Sequence, residues 1–210
     1  NAVLGELLGE LSSSHTYRSG GDLDLGTSRA VGYLGCDFAP AQGALRIRRI
    51  LETAPWDTVR SPLRAPGIDV REGEYLLAVN GDGIEATREP WAAFQGLADQ
   101  AVLLTINSKP SVEGARDVLV QTLASEANLR QCAWIEANRR RVEKATDGRA
   151  GYVYVSNTGD SGQADLYRQW RAQTHKLALV IDERWNSGGH TPDRFVELLA
   201  RRATNYWHVR

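Results

Sequence analysis

The chain has 210 residues, 42% of them hydrophobic and 24% charged, with a formal net charge of −1. That balance describes an ordinary globular protein with enough length for one large core or two small ones, and it excludes a general electrostatic attraction to nucleic acid or to an anionic membrane. The two cysteines, Cys36 and Cys132, make no disulfide framework and fit a reducing compartment, with both thiols serving as buried filler.

In chain order, Val3, Leu4, Leu7, Leu8 and Leu11 recur at helical spacing and predict an amphipathic helix over residues 2–11. Ser12-Ser13-Ser14-His15 ends it, and Tyr17–Asp24, with Gly20-Gly21, reads as a polar connector. From Thr27 to Ser108 the pattern changes to short strands and turns. Ala30–Leu34 and Leu45–Leu51 read as strands, and Pro55, Pro62 and Pro66 break the stretch that follows. Tyr75–Val79 is a strand that ends on Asn80-Gly81, a strong hairpin signal. Pro90–Leu97 reads as a short helix with Trp91 and Phe94 as core residues, and Ala101–Ile106 as a closing strand.

From Pro110 onward Val118–Leu123 reads as a strand, Ser125–Lys144 as a long helix and Gly151–Val155 as a strand. A turn at Asn157–Asp160 leads to a helix over Ala164–Gln173, with Leu166 and Trp170 on one face. Arg139-Arg140-Arg141 reads as a solvated helix face. Leu177–Ile181 is a continuous apolar run, as expected for a strand covered on both faces. Asn186-Ser187-Gly188-Gly189 then frees the backbone for a sharp turn. Thr191 is a good N-cap, Pro192 a good first helical residue, and Phe195, Val196, Leu198 and Leu199 give that helix an apolar face. A strand, glycine turn and capped helix aim N–H donors at one point, which is how a protein binds an anion or stabilises an oxyanion. Alternating strands and helices predict βαβ units and a largely parallel sheet.

No apolar run approaches the roughly 20 residues that span a bilayer, and no signal peptide is recognisable. No His or Cys pair has zinc spacing, and neither a P-loop nor a G-x-G-x-x-G is present, so no metal and no cofactor is expected. Methionine is absent. The chain therefore reads as an internal piece of a longer protein, with part of any catalytic site supplied from elsewhere.

Two resemblances meet here. Gly32-Tyr33-Leu34-Gly35-Cys36 stands where the carboxylate-binding loop opens a PDZ groove, Ser61–Gly67 resembles the run before the central PDZ strand, and Glu72–Gly81 matches the family's strand ending in Asn-Gly. The middle segment thus resembles a PDZ domain. The resemblance implies that an extended peptide adds as a strand, with Tyr33, Leu34 and Gly35 in the peptide-binding loop. Asp37 follows that loop, and its charge opposes capture of a terminal carboxylate.

The flanking parts, through Gly9–Tyr17, Gly151–Val155 and Asp182–Thr191, resemble a tricorn-type serine peptidase of the tail-specific, carboxyl-terminal processing clan. The resemblance implies an α+β fold in which a PDZ-like domain (27–108) is inserted between the end of a first peptidase core subdomain (1–26) and the start of a second α/β subdomain (109–210). It implies that His15 is the general base, that Ser14 orients it, and that Gly188 or Gly189 donates an N–H to the oxyanion. The nucleophilic serine and a glutamate of the charge network are implied to lie beyond Arg210. Ser187, though it sits in the turn, falls in the oxyanion loop by this resemblance, and His175, His190 and His208 have no supporting context. The function implied is hydrolysis of oligopeptides in the cytoplasm by a large homo-oligomer, a hexamer in the family. Residues 1–210 alone are expected to be inactive, with a peptide substrate as partner and neither nucleic acid nor membrane. The alternative is a PDZ-type peptide-binding module on a non-catalytic scaffold.

Overall fold

The computed structural model describes residues 2–20 and 29–201. The Gly21–Asp24 end of the expected connector, the expected limit between residues 26 and 27, and His208 lie outside them. Helix α1 spans Ala2–Glu10, as the leucine spacing predicts, but none of its residues is buried, and Val3, Leu4 and Leu7 stay exposed.

An antiparallel sheet follows, built from β1 (Cys36–Ala41), β2 (Ala44–Ile50), β3 (Tyr75–Val79), the short β4 (Asp82–Gly83), β5 (Ala101–Asn107) and β6 (Arg116–Gln121). The strand order is β1-β2-β3-β5-β6, with β4 beside β3. Alternation along β5 turns Val102, Leu104 and Ile106 into the core and Leu103 outward. Leu34, Ile47, Leu76 and Phe94 pack into the same core. Asn80 (φ 52°) and Gly81 (φ 87°) form the tight turn that the sequence signals. Gln42 (φ 52°) and Gly43 (φ 78°) make an equivalent turn between β1 and β2.

Three expectations change in this half. Ala30–Leu34 is not a strand, since Val31 and Tyr33 make only isolated bridges to Gln95 and Leu123. The strand starts at Cys36, after Gly35 turns the chain at φ 65°, and it accommodates Pro40 because β1 lies on the sheet edge. Pro90–Phe94 is a 3₁₀ turn rather than a longer helix, and Glu89 before it supplies no side-chain cap. The strand expected at Val118–Leu123 is β6, which pairs antiparallel with β5 from Ala101↔Gln121 to Ile106↔Arg116. Arg116 fastens it by two hydrogen bonds of 2.8 Å to the Glu74 carboxylate, so the antiparallel sheet continues past its expected end at residue 108.

The remaining elements are α2 (Ala127–Ala145), β7 (Ala150–Tyr154), α3 (Asp160–Arg171), β8 (Ala178–Asp182) and α4 (Pro192–Ala200), and the protein is α+β. β7 and β8 pair in parallel around α3, so the largely parallel sheet that the alternation predicts amounts to these two strands among the described residues. All of β7 is buried between helices. Its second edge is closed by side chains. Gln173 accepts from the Tyr152 N–H (2.9 Å) and donates to its carbonyl (2.8 Å), and Gln169 does the same for Tyr154 (3.0 Å each). The sheet can therefore extend only on the side of β8. There the expected cover on both faces is missing among the described residues, with Val180 and Ile181 about 40% exposed. α3 starts at Asp160 rather than Ala164 because the Asn157 side chain accepts from the Gly159 and Gly162 N–H groups and so caps its first turn. Of the Arg139-Arg140-Arg141 run, Arg140 and Arg141 are exposed as expected, but Arg139 is largely withdrawn from solvent, and both Arg139 and Arg140 bind the buried carboxylate of Glu136. Cys36 and Cys132 are free thiols, and burial, the leading cause for each, pushes both pKa values up.

Replacing Gln173 by Ala leaves the buried N–H and carbonyl of Tyr152 without partners, so unfolding in urea is expected to show a loss of about 1–3 kcal/mol. Leu119→Ala on the exposed face of β6 is expected to change stability by no more than about 0.5 kcal/mol.

Candidate functional site

The junction from β8 to α4 begins at Asp182, whose side chain is 8% exposed. Its carboxylate accepts from the Tyr152 hydroxyl (2.6 Å), from Arg184 Nη2 (2.6 Å) and Nε (2.9 Å), and from the Arg184 N–H (3.0 Å). The Arg184 side chain is the main reason that the Asp182 pKa lies well below the usual carboxylate range. Burial, followed by the bond to Asp182, pushes Tyr152 up. The Arg184 guanidinium also stacks over Trp134 at 5.2 Å and Trp185 at 5.7 Å, which gives the loop a rigid start.

The next residues are pinned one by one. Asn186 Nδ2 donates to the Val155 carbonyl (3.2 Å), and its Oδ1 accepts the Gly188 N–H (2.7 Å). The Ser187 N–H donates to Ser156 (2.9 Å), and the Thr158 N–H donates to the Gly188 carbonyl (2.8 Å). Gly189 has φ 151°, and a Cβ there would lie 2.5 Å from the Gly159 nitrogen, so only glycine fits. Of the two expected donors, Gly188 already gives its N–H to Asn186, whereas the Gly189 N–H has no acceptor among the described residues. Thr191 occupies the N-cap position of α4, yet its hydroxyl bonds the Thr158 carbonyl instead of capping the helix. Asn186 and Asn157 read from sequence as turn residues only, and their side-chain bonds to the neighbouring amides are what the structure adds. Their one visible signal is an Asn two residues before a glycine.

His15 follows α1 in a left-handed conformation (φ 64°) and is exposed. Its Nδ1 lies 3.4 Å from the Tyr17 hydroxyl, and the two rings meet edge to face. Ser14 makes no side-chain hydrogen bond to His15 among the described residues; its carbonyl accepts from Ser13 (3.4 Å). No hydrogen bond joins Ser14 or His15 to the Gly188–Gly189 turn among the described residues. Among those residues no cluster of His, Cys, Asp and Glu could hold a metal ion, and no helix is long and apolar enough to cross a membrane.

In the loop at Gly32–Cys36, Tyr33 exchanges both backbone hydrogen bonds with Leu123 (2.8 and 2.9 Å), Leu34 is buried, and its carbonyl accepts from the Ser61 hydroxyl (2.8 Å). Trp91 packs on Tyr33 (5.1 Å), Phe38 (5.4 Å) and Phe94 (5.6 Å). These aromatic rings join the Gly32–Cys36 loop and β1 to the Pro90–Phe94 turn.

Comparison with known proteins matches residues 32–125 to the model of the tricorn protease PDZ domain. A tricorn protease homolog from Streptomyces coelicolor is 37% identical over 208 residues, covering 97% of this chain and 19% of its own length. A tricorn protease from Thermoplasma volcanium is 29% identical over 206 residues, covering 97% of this chain and 20% of its own. The crystal structure of the tricorn protease superposes on 99% of this chain and 20% of that one, with a TM-score of 0.83 and 25% identity. The chain is a tricorn protease relative with a tricorn-type PDZ domain. It spans about a fifth of the length of these tricorn relatives. The tricorn likeness covers α1, the PDZ sheet and the β7–α4 unit alike, so it includes His15 and the glycine turn.

Gly189→Ala is expected to break the Thr158-to-Gly188 hydrogen bond, at a cost of about 1–3 kcal/mol for the strained turn; hydrogen exchange at the Thr158 amide would report it. Asp182 supports the fold only while ionised. Its contribution is complete above the ordinary value of 3.8 and disappears as pH falls below it toward the lowered folded-state value. Asp182→Asn is therefore expected to flatten the acid limb of the stability curve, measured by unfolding between about pH 5 and pH 2.

Proposed function

We propose that this chain is part of a tricorn-type serine peptidase in which the PDZ-like domain interrupts an α/β peptidase core, between a first subdomain ending near residue 26 and a second one that supplies β7 to α4. His15 is the general base, a role for which the imidazole's second ring nitrogen and hydrogen-bonding geometry suit it. It takes the proton from a serine hydroxyl as that oxygen attacks the scissile carbonyl, and returns it to the leaving amine. The Gly189 N–H then donates to the tetrahedral oxyanion. Ser14 and Tyr17 flank the base; the Tyr17 hydroxyl lies 3.4 Å from Nδ1, and Ser14 orients the ring in the complete active site. The serine itself and the charge-network glutamate come from outside residues 1–210. The substrate is an oligopeptide, and the working form is a cytoplasmic homo-oligomer, a hexamer by resemblance.

The observation that carries this reading is the Gly188–Gly189 turn. Among the described residues the Gly189 N–H has no acceptor, in a backbone that Asn186 and Thr158 already hold, which is the preorganisation an oxyanion donor needs. The test is peptide hydrolysis by the longer protein. His15→Ala is expected to lower kcat by at least about 10²-fold with KM little changed, and residues 1–210 alone are expected to show no turnover. Full activity in the His15 variant, or turnover by residues 1–210, would overturn the assignment.

A further inference from the structure

The loop at Gly32–Cys36 is covered by the start of α2. Glu126, the residue before that helix, is 7% exposed. Its Oε1 accepts from Arg130 Nε (2.7 Å), and its Oε2 is buried with no hydrogen-bond partner. Arg130 reaches onward to the loop, donating from Nη2 to the Cys36 carbonyl (3.3 Å) and from Nη1 to Asp37 Oδ1 (2.8 Å). Leu129 is fully buried one turn along, so near Gly35 that a Cβ on the glycine would lie 2.5 Å from Leu129 Cδ2. Gly35 is left-handed at φ 65°, and its amide is among the groups that favour the ionised form of Glu126.

We propose that the carboxylate-binding loop of this PDZ domain is occupied in cis, with Glu126 as its ligand and Arg130 as the clamp that keeps it there. Three features converge on this assignment. The helix start buries a carboxylate beside the loop and ties it to the Cys36 carbonyl through Arg130. The Asp37 charge, which would repel an incoming terminal carboxylate, is neutralised by Arg130 and by Arg49 at 3.0 Å, and Arg130 bridges it to Glu126. Several other backbone groups of the loop are already committed, the Gly32 N–H to Phe94, Tyr33 to Leu123 and the Gly35 carbonyl to the Leu51 N–H (2.9 Å). Burial pushes the Glu126 pKa up, while Arg130 and the Gly35 amide favour the ionised form. A peptide C-terminus would have to displace Glu126 and break both Arg130 contacts. The PDZ sheet and α2 are on this view one receptor–ligand pair, and the loop is a joint within the chain rather than a port for substrate tails.

The test uses the 210-residue chain, its backbone amide NMR spectrum and acetate as a probe for a bare carboxylate. In Glu126→Gln the Gly35 amide is expected to show one of the largest shifts in the spectrum. In Glu126→Ala, acetate is expected to move the Gly35 resonance and to raise the Tm, with an affinity at least about tenfold above any response in the wild type, while acetamide does neither. If Glu126→Ala does not fold, the isosteric Gln variant still decides through the Gly35 shift. A Gly35 amide indifferent to Glu126→Gln, wild-type protein that binds acetate at Gly35, or a folded Ala variant that ignores acetate would each overturn the proposal.

Discussion

A carboxylate buried as deeply as Glu136, at 2% exposure, has to be neutralised where it sits. Arg139 does so with two bonds (2.6 and 2.8 Å) and Arg140 with one (2.7 Å). Burial alone would raise the Glu136 pKa, and the Arg139 and Arg140 contacts outweigh it and hold it below the ordinary value. The two arginines then tie α2 to the rest of the molecule. Arg140 reaches Glu52 after β2 (2.7 Å), and Arg139 stacks over Trp56 (5.7 Å) and pairs with Glu143 (2.9 Å), which Lys176 also binds (2.6 Å). One buried acid thereby locks the helix that stands between the PDZ sheet and the parallel pair.

That placement sets the site. α2 packs on β7, and the Asn138 side chain reaches the Tyr152 hydroxyl (3.3 Å), which in turn donates to Asp182 at the end of β8. From Asp182 the order passes through Arg184 and Asn186 to the Gly188–Gly189 turn. With the second edge of β7 closed by Gln169 and Gln173, β8 offers the one open edge of this two-stranded sheet among the described residues.

Much of this was legible in the sequence where local chemistry and tertiary structure agree. Asn80-Gly81 specified its turn, the Leu177–Ile181 run its strand, and the double glycine its bend. The misreadings came where long-range pairing decides. Val118–Leu123 looks like the first strand of an α/β unit, and only its ladder with β5 and the Arg116–Glu74 pair assign it to the antiparallel sheet. Cys36–Ala41 was overlooked because Pro40 argues against a strand, a rule that an edge position relaxes. The Arg139–Arg141 run carries no sign of the acid three residues upstream that buries part of it. Among candidate site residues, the glycine turn stands out by its local pattern and by resemblance, and His15 by resemblance alone. Asn186 escaped because its role lies in a side-chain bond to a neighbouring amide that spacing alone does not reveal.

The most direct measurement is to label the longer protein with a fluorophosphonate probe and map the modified residue by mass spectrometry. A single labelled serine outside residues 1–210, lost in His15→Ala, is the result expected of a peptidase whose base and oxyanion donor lie in this chain. Modification of Ser187, or no labelling of the wild-type protein, would contradict it.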